Sequence, residues 1–334
     1  TTWENYPNIN GKKSAVYKSE DAGLIWNKIT NGVTINKNTG RIGIAASYQD
    51  KDKAYIFIDQ RNQRNGQGTG EVYKTINGGK NWEKTHKENI KSLSVIGWYF
   101  MDMYVNPQND EEIYGLGVRL IHSIDGGKTF KNIGGQITHL TPSPAQTLHL
   151  DHCEMWINPY NPKELLLGND GGVYHSYDGG KSWLHLNNIP AGEFYDIEID
   201  NQEPYHIYGG TQDDATVYGF AQEYNSEFDD PWEYLWIDAW SGGDGCITLV
   251  DPNDENTVYF SMQNGGARRR NINTGKSIDI RPKFQKEDNI KVQYNFITPY
   301  ILSHFDSNTV YMAGNYVMRS KDRGDNWTVI SPDL

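Results

Sequence analysis

The sequence is poor in several things, and each shortage excludes a class of protein. Only two cysteines occur in 334 residues, Cys153 and Cys246, so neither a disulfide framework nor a Cys-rich metal module can hold the fold. They fall at matching positions of non-neighbouring repeats, described below, and two buried thiols are expected rather than a disulfide. No apolar run approaches the roughly 20 residues of a membrane-crossing helix. Basic residues are outnumbered, 31 Lys and Arg against 43 Asp and Glu, for a net charge of −12. That balance argues against nucleic acid or an anionic membrane as the main partner. Long stretches of Ala, Leu, Glu and Lys are missing, and with them the signature of long helices. No signal peptide is readable from Thr1 onward, so any targeting segment is expected to have been removed or never to have been part of this sequence.

What is present favours short strands and tight turns: 22 Tyr, 10 Trp and 34 Gly. The length allows one large domain or two smaller ones. One pattern recurs, Ser/Thr-x-Asp-x-Gly-x-x-Trp/Phe. It starts at Ser19, Thr75, Ser123, Ser176 and Ser320, with Asp21, Asn77, Asp125, Asp178 and Asp322 at its third position. Successive starts lie 56, 48, 53 and 144 residues apart, and the last gap accommodates three periods of 48. A period near 50 signals a propeller or a related array. The motif is turn chemistry. Its carboxylate accepts backbone N–H groups, its glycine supplies a positive φ, and the closing aromatic packs between sheets.

Each box follows two further strand signals. One is a β-rich run ending in an Asn or Asp turn, as in Met103–Pro107, Met155–Pro159 and Thr248–Pro252. The other is a short apolar run such as Ile113-Tyr114 or Leu165–Leu167. Each unit therefore reads as four strands, A to D, with the box between C and D. The expected fold is all-β, a β-propeller of four-stranded blades over residues 1–334 as a single domain. Six full units have B strands starting at Ala54, Ile113, Leu165, Ile207, Val258 and Val310. A leading half-unit, Ser14–Ile29, supplies only a C–box–D hairpin, and the chain stops after a D strand. Seven blades with one incomplete are expected, the missing strands and further domains lying elsewhere in a longer polypeptide rather than Thr1–Lys13 partly closing the ring, because proteins avoid exposed edges.

Aligning the units on their B strands places Asp151, Glu193 and Asp244 fourteen residues before Leu165, Ile207 and Val258. The same alignment pairs Cys153 with Cys246. Five residues after the B-strand starts come Asp59, Asp170, Gln212, Gln263 and Asn315, expected in the B–C loop. These groups should converge on one mouth of the channel, with His149, His152 and Asp213 close by. Three readings compete for them. Asp151, Asp170, Asp213 and Asp244 include candidates for a general acid and base, or acid and nucleophile, on a glycosidic bond. Asp and His could instead hold a divalent cation, though the spacing matches no metal motif. The plainest reading is a wet, polar channel. His149, His152, Glu193, Gln212 and Gln263 are the candidate substrate contacts, with Trp236 and Trp240, whose spacing along a strand with Trp232 puts all three on one face. Packing between blades is the competing role for these indoles. Arg268-Arg269-Arg270 falls in a C strand and is expected to be a solvated surface rather than an anion site.

The boxes resemble those of sialidases, sortilin-type receptors and xyloglucan-cleaving glycoside hydrolases. Asp151–Pro159, Gly168–Val173, Gly209–Asp213, Gly242–Gly245 and Arg323–Leu334 are more narrowly similar to the large secreted or surface bacterial proteins called sortilin-like or glycosyl-hydrolase-like Asp-box repeat proteins. The resemblance implies an extracellular or cell-surface bacterial protein. Its function would be to bind or hydrolyse polysaccharide on the carboxylate-lined face, or, alternatively, to act as a non-catalytic protein-binding scaffold of the sortilin type. Two departures matter. A sialidase would carry Arg-Ile-Pro where this chain has Arg41-Ile42-Gly43, and the cysteine-rich module of sortilin-type receptors is missing.

Overall fold

The computed structural model describes residues 11, 13–61, 68–88, 90, 97, 99–134, 148–186, 192–221, 232–235, 243–285 and 288–334. They fall into two compact units, 1–189 and 190–334.

The first unit opens with a two-stranded hairpin, β1 (Val16–Lys18) and β2 (Asn27–Ile29). Three four-stranded sheets follow. The first contains β3 (Thr39–Ala46), β4 (Ala54–Arg61), β5 (Gly68–Thr75) and β6 (Glu83–Lys84). The second contains β7 (Asp102–Asn106), β8 (Asn109–Leu116), β9 (Leu120–Ser123) and β10 (Lys131–Gly134). The third contains β11 (His152–Ile157), β12 (Leu165–Asn169), β13 (Gly172–Ser176) and β14 (Leu184–His185). The second unit has three sheets of the same order. They are β15 (Phe194–Ile199), β16 (His206–Thr211), β17 (Thr216–Phe220) and β18 (Glu233–Tyr234); β19 (Gly245–Asp251), β20 (Asp254–Met262), β21 (Gly266–Asn271) and β22 (Ser277–Asp279); and β23 (Tyr300–Leu302), β24 (Val310–Ala313), β25 (Val317–Ser320) and β26 (Thr328–Val329). Every sheet is a sequential antiparallel meander. This all-β architecture of four-stranded sheets is consistent with a β-propeller.

The boxes do what their chemistry predicts. At the last one, Asp322 Oδ1 accepts the Asn326 N–H at 2.8 Å and the Ser320 hydroxyl at 2.7 Å, while Oδ2 accepts Asn326 Nδ2 at 2.7 Å. Those bonds, the Asn326 side chain foremost, hold the Asp322 carboxyl below its usual range. Gly324 turns the chain with φ 92°, and its N–H donates to Ser320 Oγ at 2.8 Å. Asn77 replaces the carboxylate without changing the turn, its Oδ1 accepting Thr75 Oγ1 and the Asn81 N–H, both at 3.0 Å. Ser320 is buried and bonds in two directions. Ser320→Ala should therefore cost about 1–3 kcal/mol by stranding a buried N–H, read as a lower urea midpoint at unchanged slope.

The cores lie between sheets. Tyr55, Phe57 and Val72 of one sheet pack with Met101, Met103 and Ile113 of the next. Tyr114, Leu116 and Leu120 pack in turn with Met155, Leu165 and Leu167. In the second unit Tyr208 and Leu235 meet Val258 and Phe260, and Tyr259 and Ile280 meet Tyr300, Val310 and Met318. Alternation along the strands drives this, since each buried face needs an apolar neighbour.

Candidate functional site

The alignment of carboxylates on strand starts survives in the structure. Asp151, Glu193 and Asp244 each stand one residue before the first strand of a sheet, β11, β15 and β19. Asp170, Gln212, Gln263 and Asn315 each follow a second strand and occupy its link to the third. Asp59 does not. The β4–β5 hairpin is longer than the others, so Asp59 sits inside the ladder opposite Gly70 and is buried.

In the second unit the polar groups converge. Asp213 and Ala215 take left-handed conformations, φ 57° and 71°, which coil the β16–β17 link back on itself. The link is held by the Thr211 N–H donating to Ala215 O at 2.8 Å and the Gln212 N–H donating to Glu193 O at 2.9 Å. Ala215 forms a parallel bridge with Asp244. The Asp213 N–H thereby reaches Asp244 Oδ1 at 3.3 Å, and the Tyr195 hydroxyl donates to the same oxygen at 3.0 Å. Gln212 Nε2 donates to Asp213 Oδ2 at 3.3 Å. Gln263 joins the cluster through Gly243, where a Cβ would meet its Nε2 at 2.2 Å, and its buried Oε1 has no hydrogen-bond partner. Burial, and then the neighbouring Asp213 carboxylate, push the Asp244 carboxyl above its usual range. The Tyr195 phenol is raised too, by burial and then by Asp244. Two carboxylates in different surroundings share one hydrogen-bonded cluster, which is the arrangement acid–base chemistry uses.

Tyr195 escaped the sequence reading, though a signal existed. It occupies the position, two residues past the strand-start carboxylate, that Cys153 and Cys246 hold in their own sheets.

In the first unit Asp151 also lies in the left-handed region, φ 63°. Its N–H donates to Val118 O at 3.1 Å and that of His152 to Gly117 O at 3.0 Å, which fastens the start of β11 to the preceding sheet. His149 sits against Gly171, where a Cβ would meet its ring at 2.7 Å, and its carbonyl accepts Asn169 Nδ2 at 3.3 Å. His152 is 1% exposed, and neither ring nitrogen has a hydrogen-bond partner. Burial, with help from His149, pushes its imidazole down to about 3, so it is neutral at any ordinary pH. Asp170 follows β12 and raises the nearby Cys153 thiol.

The cysteines require a correction. Cys246 is buried, but Cys153 is exposed, because the bulge between His152 and Glu154 turns it off the buried face. Partial burial of its sulfur, followed by the Asp170 and Asp151 carboxylates, lifts the thiol of the otherwise exposed Cys153 to about 11, and burial with Asp244 lifts Cys246 to about 12. Iodoacetamide at pH 7 should therefore modify Cys153 more slowly than a free thiol and leave Cys246 untouched until urea is added. Intact-mass counting of adducts checks both.

The arginine triplet also departs from expectation. Arg269 donates to Arg323 O at 2.5 Å and pairs with Asp325 at 3.0 Å, and Arg270 Nη1 donates to Leu235 O at 2.5 Å. Arg269 and Arg270 are ties between sheets rather than a solvated surface, while Arg268 Nη1 donates to Ser277 Oγ of its own sheet at 3.4 Å. Trp236 and Trp240 lie outside the described residues, and Trp232 has its ring centroid 6.1 Å from that of Phe194. Among the described residues no three His, Cys, Asp or Glu side chains are grouped to hold a metal. A cavity of about 450 Å³ in the second unit is lined by Glu198, Asp200, Asp251 and Asp254. It opens at the turns leaving β15 and β19, the opposite ends of those strands from Glu193 and Asp244.

No family model and no curated protein matches the chain. Solved structures do. A GH74 enzyme of Niastella koreensis is 13% identical, with 96% of this chain and 42% of that one covered and a TM-score of 0.41. YCF48 of Cyanidioschyzon merolae is 14% identical over 88% of this chain and 85% of that one, with a TM-score of 0.30. Sqt1 of Chaetomium thermophilum is 10% identical over 87% and 71%, with a TM-score of 0.31. The chain thus spans less than half the length of the GH74 enzyme. Similarities this distant carry no argument about activity.

Proposed function

We propose that this chain is most of a seven-bladed Asp-box β-propeller, and that it is a secreted or cell-surface module that binds or hydrolyses polysaccharide. The single observation that carries the reading is the Asp244 cluster. A buried carboxyl with a raised pKa, bonded to Tyr195 and set beside Asp213, is suited to deliver a proton to a leaving sugar oxygen. In this reading Asp213 is the partner carboxylate, and Glu193, Gln212 and Gln263 hold hydroxyl groups of the glycan. Asp151, Asp170, His149 and His152 are the corresponding candidates within the first unit, His152 as a neutral group. Trp236 and Trp240 supply stacking faces.

The second reading, a protein-binding scaffold, is favoured by a different feature. The first strands of two sheets of the second unit expose Ile197, Ile199 and Ile301, each more than half accessible. One experiment separates the two. The purified chain is incubated with plant, algal and bacterial polysaccharides, and released reducing ends and binding are both measured. Cleavage or saturable binding of one polymer supports the carboxylate site. Silence across the panel, from folded protein, sinks it in favour of the scaffold.

A further inference from the structure

At several seams between consecutive sheets the closing aromatic of a box fills the gap. Phe130, Trp183 and Trp327 each pack into the core shared with the preceding sheet. The seam between the sheets β15–β18 and β19–β22 is built differently. Arg269 pairs with Ile278 as Arg319 pairs with Thr328, so Ser277 stands where Trp327 stands in its own sheet. The link before it, residues 271–276, has no aromatic. Two cavities occupy this seam. One, of about 280 Å³, is walled by Tyr218, Phe220 and Ile272, with His206 and Glu233 also lining it. The other is the cavity of about 450 Å³ described above, which carries five carboxylates and shares Asn256 with the first.

Charge and hydrogen bonding decide what this space can hold. Among the described residues no Lys or Arg lines either cavity. Arg323 offsets Asp251 and Asp254 at 2.8 and 3.6 Å, while Glu198, Glu233 and Glu255 have no ion pair among the described residues. His206 is 7% exposed, and its Nδ1 donates to Asp200 Oδ2 at 2.7 Å. In the neutral ring Nε2 is then an acceptor, and among the described residues nothing donates to it. A buried acceptor thus faces an aromatic-walled cavity beside carboxylates that lack a cation. We infer that the two cavities bind a basic polypeptide segment, one lysine side chain filling the smaller and a second basic residue the larger. The methylene stem lies against Ile272 and Phe220, and the ammonium meets the faces of the Tyr218 and Phe220 rings. It donates to His206 Nε2 and to Glu233. An anion would find no unpaired cation there, and a neutral sugar would leave the three carboxylates uncompensated. The site stands at the ends of β15 and β19 opposite Glu193 and Asp244, so it does not depend on the Asp244 cluster.

Calorimetric titration of the full chain with a trilysine peptide blocked at both ends is the test. Saturable one-to-one binding is expected, and it should vanish when the peptide's side chains are acetylated. Asn273→Trp puts an indole into the smaller cavity, which Asn273 lines, and should abolish binding. Phe220→Ala should weaken it roughly tenfold and Glu233→Gln roughly fivefold, both residues being exposed. Binding left unchanged by Asn273→Trp and Glu233→Gln would report only diffuse attraction to an acidic surface and would overturn the proposal. So would no binding of the peptide, equal binding of its acetylated form, or capture of a glucosamine trimer in its place.

Discussion

On the proposed reading, replacing Asp244 by Asn should cut any glycan turnover sharply while leaving the protein as stable as before or more so. The carboxyl is buried beside Asp213, and burial is the larger cause of its raised pKa. The sign of the linkage follows. A carboxyl whose folded pKa lies above its unfolded value of 3.8 favours the folded state while it is protonated. That benefit is lost as pH rises through the folded pKa. Above that folded pKa the ionised group is a burden, and Asn, which still accepts from Tyr195 and the Asp213 N–H, removes it. Thermal melts should show the variant at or above the parent at pH 7, with the gap closing on acidification. Turnover should fall roughly 10²–10⁴-fold, the range for loss of a positioned proton donor. A variant equally stable and fully active would remove Asp244 from the chemistry. Asp213→Asn separates the roles further, because it should lower the Asp244 pKa and move the alkaline limb of the residual pH–rate profile to lower pH.

The largest stability loss is expected at Asp200→Ala. The Asp200 side chain is fully buried and collects donors. Oδ1 accepts the His206 N–H at 2.9 Å and the Gln202 N–H at 3.2 Å, while Oδ2 accepts His206 Nδ1 at 2.7 Å and the Tyr208 hydroxyl at 3.1 Å. Burial opposes ionisation here, but the bonds from His206 and Gln202 outweigh it and hold the pKa low. Alanine would strand those donors in the interior at a cost of about 3–5 kcal/mol. Because the folded pKa is depressed, the parent's advantage is present above the ordinary carboxylate range and fades as pH falls through the folded value. Urea melts of parent and variant at pH 7 and in acid should converge. A difference independent of pH would mean that lost packing, rather than the ionised network, sets the cost.

Much of this architecture was legible in the residues because it rests on local rules. The box turns need only an Asp or Asn, a Gly and a Ser or Thr at fixed spacing. The positions of Asp151, Glu193 and Asp244 need only a constant unit length. Strand limits were less legible. β8 begins at Asn109 and β20 at Asp254, four residues before the apolar runs at Ile113 and Val258. Tight turns draw polar residues into the ladder there, pairing Asn106 with Asn109 and Asp251 with Asp254. The site was legible as a list but not as a geometry. Left-handed backbone at Asp213 and Ala215 is what aims one amide at Asp244, and neither residue type announces it. The bulge that exposes Cys153 and the burial that neutralises His152 depend on neighbouring sheets in the same way.

The placement of the apolar clusters between consecutive sheets has an evolutionary corollary. Since each seam takes side chains from both of its neighbours, duplicating a whole four-stranded unit adds one complete seam and disturbs none. Deleting a single strand opens the seams on both sides of its sheet. Such a chain can lengthen or shorten in steps of one unit, about fifty residues, while smaller changes are filtered into the turns. The turns carry Asp213 and Asp170, so the tolerated variation falls on the groups that would meet a ligand.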